Sequence, residues 1–414
     1  MSVKLLLLCL ALLVLVARLL LDWLNLRYQK QHGCELPPLF ANRIDVERLR
    51  LSNEYSRAKG QLGLIEEGSG GLLMLIFLFS GIFPWYDQLV QSTEVGPVVE
   101  GLLFFALLGL VQVLLGIPFS LYRNFVLEAR FGFNRMSFGL WCADLLKSLL
   151  VGGILFVLLI GGALLLVQAF PLSWWLWVWA FWALLTLFLL YLSPVLIEPL
   201  FYKMTPLADE SLAEQVRLQL QKVGLQAGKV LQVDASRRSG HSNAYFTGIG
   251  RVKRVVFFDT LLEQLNEKEI LAVLAHELGH WQCGHIRQRL IQGQLVILAC
   301  CYGGFLLLQK QSLVGWFGLE QLSFAGQVML LGWFGSLMGF FWTPVSSWWS
   351  RRQERQADSF AVNLVGGGRD LATGLVSLAK ENLSQLHPHP LYSRIYYSHP
   401  PLLERVAWLE RKDG

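Results

Sequence analysis

His276-Glu277-Leu278-Gly279-His280 places two imidazoles four residues apart, with a carboxylate directly after the first. On an α-helix, side chains at i and i+4 leave from the same face, so His276 and His280 can grip one metal ion. Glu277 adjoins that grip. Zinc lowers the pKa of a water it holds to about 7, and a carboxylate can then take the proton as the water attacks a carbonyl. Two histidines would be enough to bind metal; the glutamate makes the pattern hydrolytic. The alternative is a buried helix whose histidines only hydrogen-bond.

A catalytic zinc needs a third protein ligand and an open fourth position. Downstream, "SSWWSRRQERQADSFAVNL" puts Glu354 and Asp358 at i and i+4 on a second helix. Glu354 is the expected third ligand for one Zn2+ per chain. Asp358 is placed to orient a ligand histidine through its other ring nitrogen. Arg351, Arg352 and Arg355 surround the pair, so a solvated charged helix is the competing reading. Cys283 follows His280 by three residues but His276 by seven, shares their face only loosely, and is not expected to bind metal. His241, His285, His387 and His389 are also left outside the ligand set.

The elements that must hold these groups can be read nearby. Asn266 is a helix cap with Glu269 at the reciprocal position, so a helix begins near Glu267 and runs through His280. Before it come an amphipathic helix, Ser211 to Val223, and three strands, "KVLQV", "SNAYFTGI" and "RVVFFD". The last two are joined by a turn at Gly248 to Gly250. Alternation of Asn243, Tyr245 and Thr247 against Ala244 and Phe246 suits an edge strand. Such a strand can pair with an extended peptide by β-augmentation, or be an ordinary hairpin strand.

Around this polar chemistry the chain is built for lipid. Of 414 residues 54% are hydrophobic and 16% charged, against about 25% charged in soluble domains. Runs long enough to cross about 30 Å of hydrocarbon occur at roughly 4–24, 70–90, 98–121, 147–169, 172–193, 289–308 and 326–345. The first lacks an A-x-A cleavage site and is read as a retained membrane helix. "WWLWVWAFW" reads as an interfacial aromatic belt and helix packing.

Loop charge fits this count. Lys and Arg gather after the first, third, fifth and seventh runs, whereas the segments after the second and fourth have none and that after the sixth has only Lys310. That alternation predicts an outside or lumenal N-terminus and a cytoplasmic C-terminus. The two motifs then adjoin the same side of the membrane, one just before the sixth crossing and one just after the seventh. The expected division is a five-helix membrane part at 1–193, a cytoplasmic catalytic part at 194–288, crossings six and seven at 289–345, and a cytoplasmic part at 346–414 completing the zinc site. The net charge of +5 is scattered among loops, which excludes a nucleic-acid footprint. Six cysteines without a C-x-x-C pair imply no disulfide framework.

With "SGHSNAYFTG", "VVFFDTLL", "LAHELGHW", "SRRQERQADSFA" and "YSHPPLLERV", and more weakly "RFGFNRMSF" and "IEPLFYKMTPL", nearly the whole chain resembles the integral-membrane zinc endopeptidases that include the type 1 CaaX prenyl protease. The resemblance implies a mainly α membrane protein: seven transmembrane helices around a water-filled chamber, capped by a small cytoplasmic α/β, gluzincin-like metalloprotease domain. It implies that His276, His280 and Glu354 bind zinc and that Glu277 is the general base. His399 becomes a polar group over the reacting carbonyl, and Arg405 a substrate-binding or orienting cation. Asn243, Ala244 and Tyr245, read from the strand alternation above, are the residues expected to bind the peptide if that strand is the edge. Read from the residues alone, His399 sits in a proline-fixed turn and Arg405 in an amphipathic C-terminal helix, where a solvated arginine is the usual outcome. The expected partners are a peptide or protein substrate, prenylated in the family's case, and membrane lipid; no obligate protein partner is evident. The home membrane, bacterial inner membrane or endoplasmic reticulum, stays open. So do a broad quality-control protease for membrane proteins and, from another class, a transporter or scaffold with a structural zinc. A structural site, closed by a fourth protein ligand, would have no need of Glu277.

Overall fold

A computed structural model of the chain describes residues 2–247, 252–310 and 312–413. Its first half contains α1 (Val3–His32), α2 (Val46–Phe79), α3 (Ile82–Gln91), α4 (Pro97–Leu121), α5 (Phe138–Phe156), α6 (Gly162–Ala169) and α7 (Trp174–Leu192). π-helical turns extend α4 to Glu128, join α5 to α6, and join α7 to α8 (Glu198–Phe201). Its second half contains β1 (Met204–Pro206), α9 (Glu210–Lys222), β2 (Gln226–Val233), β3 (Ala244–Thr247), β4 (Val252–Phe258), α10 (Asp259–Gln264), α11 (Glu267–Gln282) and α12 (His285–Gln309). It ends with α13 (Ser312–Trp316), α14 (Phe324–Val365), α15 (Arg369–Glu381), α16 (Pro390–Tyr396) and α17 (Leu402–Glu410).

Among the described residues, seven helical stretches are long and apolar enough to cross a membrane. Only 6–17% of each apolar window is buried within the protein. A solid bundle would bury a broad stripe of every helix; these stretches leave most of their apolar surface uncovered by the rest of the protein. One expected span is corrected. The run at roughly 70–90 is two helices: α2 starts at Val46, capped by Asp45, and ends at Phe79, and α3 starts after Gly81. Gly81 has φ +95, a conformation glycine adopts without steric cost, so the chain turns there despite unbroken hydrophobicity. Phe83, Asp87 and Val90 then form a buried face on α3. Asp87 receives hydrogen bonds from the Ser323 amide and hydroxyl, fixing the start of α14.

The sheet runs β1-β2-β4-β3, with β2 and β4 parallel and both outer pairs antiparallel. β3 is therefore an edge strand, as the alternation predicts. β1 was not foreseen, because three residues ending in proline carry no periodicity. The predicted turn at Gly248 to Gly250 lies outside the described residues.

α11 is held on two sides by separate cores. Ile270, Leu274 and Leu278, at four-residue spacing, pack with Val255 and Phe257 of the sheet and Leu220 of α9. Ala272 and Ala275 face Leu371 and Val376 of α15 and Val406 of α17. Each buried leucine-sized side chain stabilises such a contact by about 2 kcal/mol. The predicted capping box forms, with Asn266 accepting from the Glu269 amide and Glu269 from the Asn266 amide. The remaining face of α11, carrying His276 and His280, turns to α14. α14 is a single 42-residue helix that includes both the last apolar run and Glu354 and Asp358.

Candidate active site

His276, His280 and Glu354 converge where α11 meets α14. The two Nε2 atoms are 3.2 Å apart. Glu354 Oε2 lies 3.3 Å from His276 Nε2, and Oε1 lies 3.2 Å from His280 Nε2. Tetrahedral bonds of roughly 2.0–2.1 Å require ligand atoms about 3.3 Å from one another. Glu354 Oε2 is also buried and accepts no hydrogen bond of acceptable geometry. An oxygen so placed is completed by a cation. The donor set of two imidazoles and a carboxylate, with these separations, fits a catalytic-type metal site.

Asp358, almost fully buried, lies 2.8 Å from His276 Nδ1. A carboxylate can only accept, so Nδ1 carries the proton and Nε2 offers its lone pair. Arg405 Nη2 also comes within 3.0 Å of Nδ1. That proton position is already taken, so the guanidinium donates to Asp358 instead, through Nε at 2.8 Å and Nη2 at 2.6 Å. The Arg405 side chain is only 9% exposed, so the solvated alternative fails. Its place on α17 makes it the clamp behind the site. Burial disfavours the charged form of His276, but the facing carboxylates of Asp358 and Glu354 outweigh it and hold the pKa above the usual histidine value.

Glu277 is half-buried, and among the described residues no side-chain hydrogen bond or ion pair engages its carboxylate. His399, fixed in a turn by buried Pro400, reaches within 2.8 Å of Glu354 Oε2, with its side chain 61% exposed. His399 is thus the exposed member of the cluster, while Asp358 and Arg405 are buried and bonded to each other.

Asn243, Ala244 and Tyr245 lie on or beside the edge strand. The Phe258 amide donates to the Asn243 carbonyl, so the backbone of Ala244 turns away from β4. Tyr245 donates to Glu198 at 2.6 Å, tying β3 to the end of the fifth membrane stretch. Two further ties anchor the segment before β3. Arg238 grips Asp144 at 2.8 and 3.1 Å, and His241 meets Glu128 at 3.2 Å while stacking on Phe133. None of these partnerships was predicted; the partners are 47 to 113 residues apart, beyond the reach of any local pattern. His285, outside the expected ligand set, has its Nδ1 3.0 Å from Nδ1 of His280. Its short distance from the motif was the available signal.

Comparison with known proteins agrees with this geometry. The family profile described as CAAX prenyl protease N-terminal, five membrane helices, matches residues 25–203. That of peptidase family M48 matches residues 206–413. CAAX prenyl protease 1 of Saccharomyces cerevisiae is 35% identical, over 93% of this chain and 90% of its own. The CAAX prenyl protease 1 homolog of Arabidopsis thaliana is 35% identical over 91% of each. The crystal structure of S. mikatae Ste24p superposes with a TM-score of 0.91 at 30% identity, covering 99% of both chains. With a protease-type metal site at the meeting of α11 and α14, and matches along nearly its whole length, the chain belongs to peptidase family M48 and is a multi-pass membrane metallopeptidase.

Proposed function

We propose that this chain is a zinc endopeptidase that cuts near the C-terminus of prenylated, CaaX-type protein substrates. One observation carries the reading: His276, His280 and Glu354 converge next in sequence to a half-buried Glu277 whose carboxylate, among the described residues, no side chain pairs with. The substrate class is supported by the names of the similar proteins, CAAX prenyl proteases. Zinc bound there supplies Lewis acidity and acidifies a water.

The chain's own residues do the rest. The outward backbone of β3 adds an extended peptide as a further strand, which sets its direction and register. Glu277 takes the proton of the attacking water and passes it to the departing amine. His399 donates a hydrogen bond to the oxyanion that develops at the scissile carbonyl. Asp358 and Arg405 hold His276 in the tautomer that leaves Nε2 free. Loop charge supports an outside N-terminus and a cytoplasmic catalytic end. Polar chemistry beside membrane-spanning helices works where protein and water line the space.

The test is paired cleavage of farnesylated and unmodified fluorogenic peptides of the same CaaX sequence by the detergent-purified protein. Cleavage of the farnesylated peptide alone supports the prenyl-protein reading. Equal cleavage of both shows a broad quality-control protease instead. Bound zinc with neither peptide nor unfolded casein cut would favour a structural metal.

A further inference from the structure

The two histidine ligands are braced differently. His276 donates its Nδ1 proton to the Asp358 carboxylate, whereas among the described residues no carboxylate meets Nδ1 of His280. Its Nδ1 lies 3.0 Å from Nδ1 of His285, and His285 Nε2 lies 2.9 Å from Oε1 of Gln356. His285 is 1% exposed and opens α12 directly after Gly284, whose φ of +69 turns the chain back toward α11. Gln356 sits on α14 between Glu354 and Asp358.

The proton pattern follows from which atoms can donate. An amide oxygen only accepts, so His285 Nε2 carries the proton in that bond. A neutral His285 then accepts at Nδ1, and His280 must donate from its own Nδ1. His280 Nε2 is left with its lone pair directed at Glu354 and His276. Running the chain the other way would put a proton on His280 Nε2 and block the metal. Resting on the zinc reading above, we propose that His285 and Gln356 are positioning residues: a neutral relay that fixes His280 in the metal-binding tautomer.

Outer partners of metal-bound histidines characteristically carry such weight, their loss costing about 10–100-fold in metal affinity. A relay also differs from packing in a way that substitutions can read. At a buried site leucine fills space better than glutamine, but only glutamine keeps an acceptor for His280.

The experiment is zinc affinity by chelator competition on the detergent-purified full chain, with metal-free thermal unfolding recorded alongside. It compares the native protein with His285→Gln, His285→Leu and Gln356→Met, all uncharged changes. His285→Leu is expected to weaken zinc about 10–100-fold while its metal-free unfolding temperature holds, and His285→Gln to stay within about threefold of native. Gln356→Met should fall between them, and it carries the test alone if His285→Leu does not fold. Native affinity in His285→Leu, or in Gln356→Met, overturns the relay, as does an equal loss in both His285 variants. A native protein that binds no zinc overturns the metallopeptidase reading itself, a separate outcome.

Discussion

Gly279 and Ala357 are in backbone contact at the crossing of α11 and α14: a Cβ on Gly279 would lie 2.8 Å from both the Cα and the carbonyl oxygen of Ala357. Gly279 sits between His276 and His280, and Ala357 between Glu354 and Asp358. The closeness of this one pair lets two histidines on one helix share a metal with a carboxylate on another. The obstruction is backbone, which cannot swing aside as a long side chain could.

Gly279→Ala should therefore force the helices apart, with an overpacking cost of about 1–3 kcal/mol. Metal binding should suffer more than the fold. The measurement is zinc per chain together with the unfolding midpoint in detergent. Full zinc occupancy with an unchanged midpoint would show that the helices are free to separate.

Glu277→Gln keeps the size and removes the base. Zinc content and substrate KM should stay near native, while kcat falls about 10²–10⁴-fold. Steady-state kinetics with metal analysis of the same sample decides it, and a variant retaining native kcat would remove Glu277 from the chemistry.

Arg405 and Asp358 form a buried ion pair, with side chains 9% and 2% exposed. Removing one partner of such a pair costs about 3–5 kcal/mol, because the other charge stays buried alone. Arg405→Met should lose most of that, and Arg405→Lys less, since an ammonium cannot reproduce the two-pronged grip. Denaturant unfolding of both variants checks the order.

The raised pKa of His276 gives the metal a competing proton. Without metal, the protonated form is favoured in the folded site, so that stabilisation is complete below the unfolded histidine pKa. It is lost as pH rises through the higher folded value. Metal binding has the opposite sense: zinc must displace the proton, so its affinity climbs with pH through the same window. Chelator competition across mildly acid to mildly alkaline pH should show this climb continuing past the range of an ordinary histidine before it levels off. A flat profile would mean that His276 is already neutral there.

Arg238→Met should free the segment before β3 from Asp144. If that tie steadies the peptide-binding edge, KM for a long peptide rises several-fold while zinc affinity holds. Kinetics on long and short peptides separates this from a general loss of fold.

Much of this protein was determined by sequence alone. The i, i+4 spacing of His276 with His280, and of Glu354 with Asp358, fixes which side chains share a helix face, because helical geometry is local. Hydrophobic runs and loop charge fix seven crossings because the bilayer demands about twenty apolar residues each. The Asn266 cap is legible because it is satisfied within three residues. What no local rule contains is which faces meet. The break at Gly81 reflects a backbone angle, since hydropathy is continuous across it. The burial of Arg405 against Asp358, the support of His280 by His285 and Gln356, and the ties of Arg238, His241 and Tyr245 to the membrane helices all join residues from separate elements. Only tertiary packing decided them, because it chooses among many side chains of similar chemistry the few that lose water together and must satisfy one another.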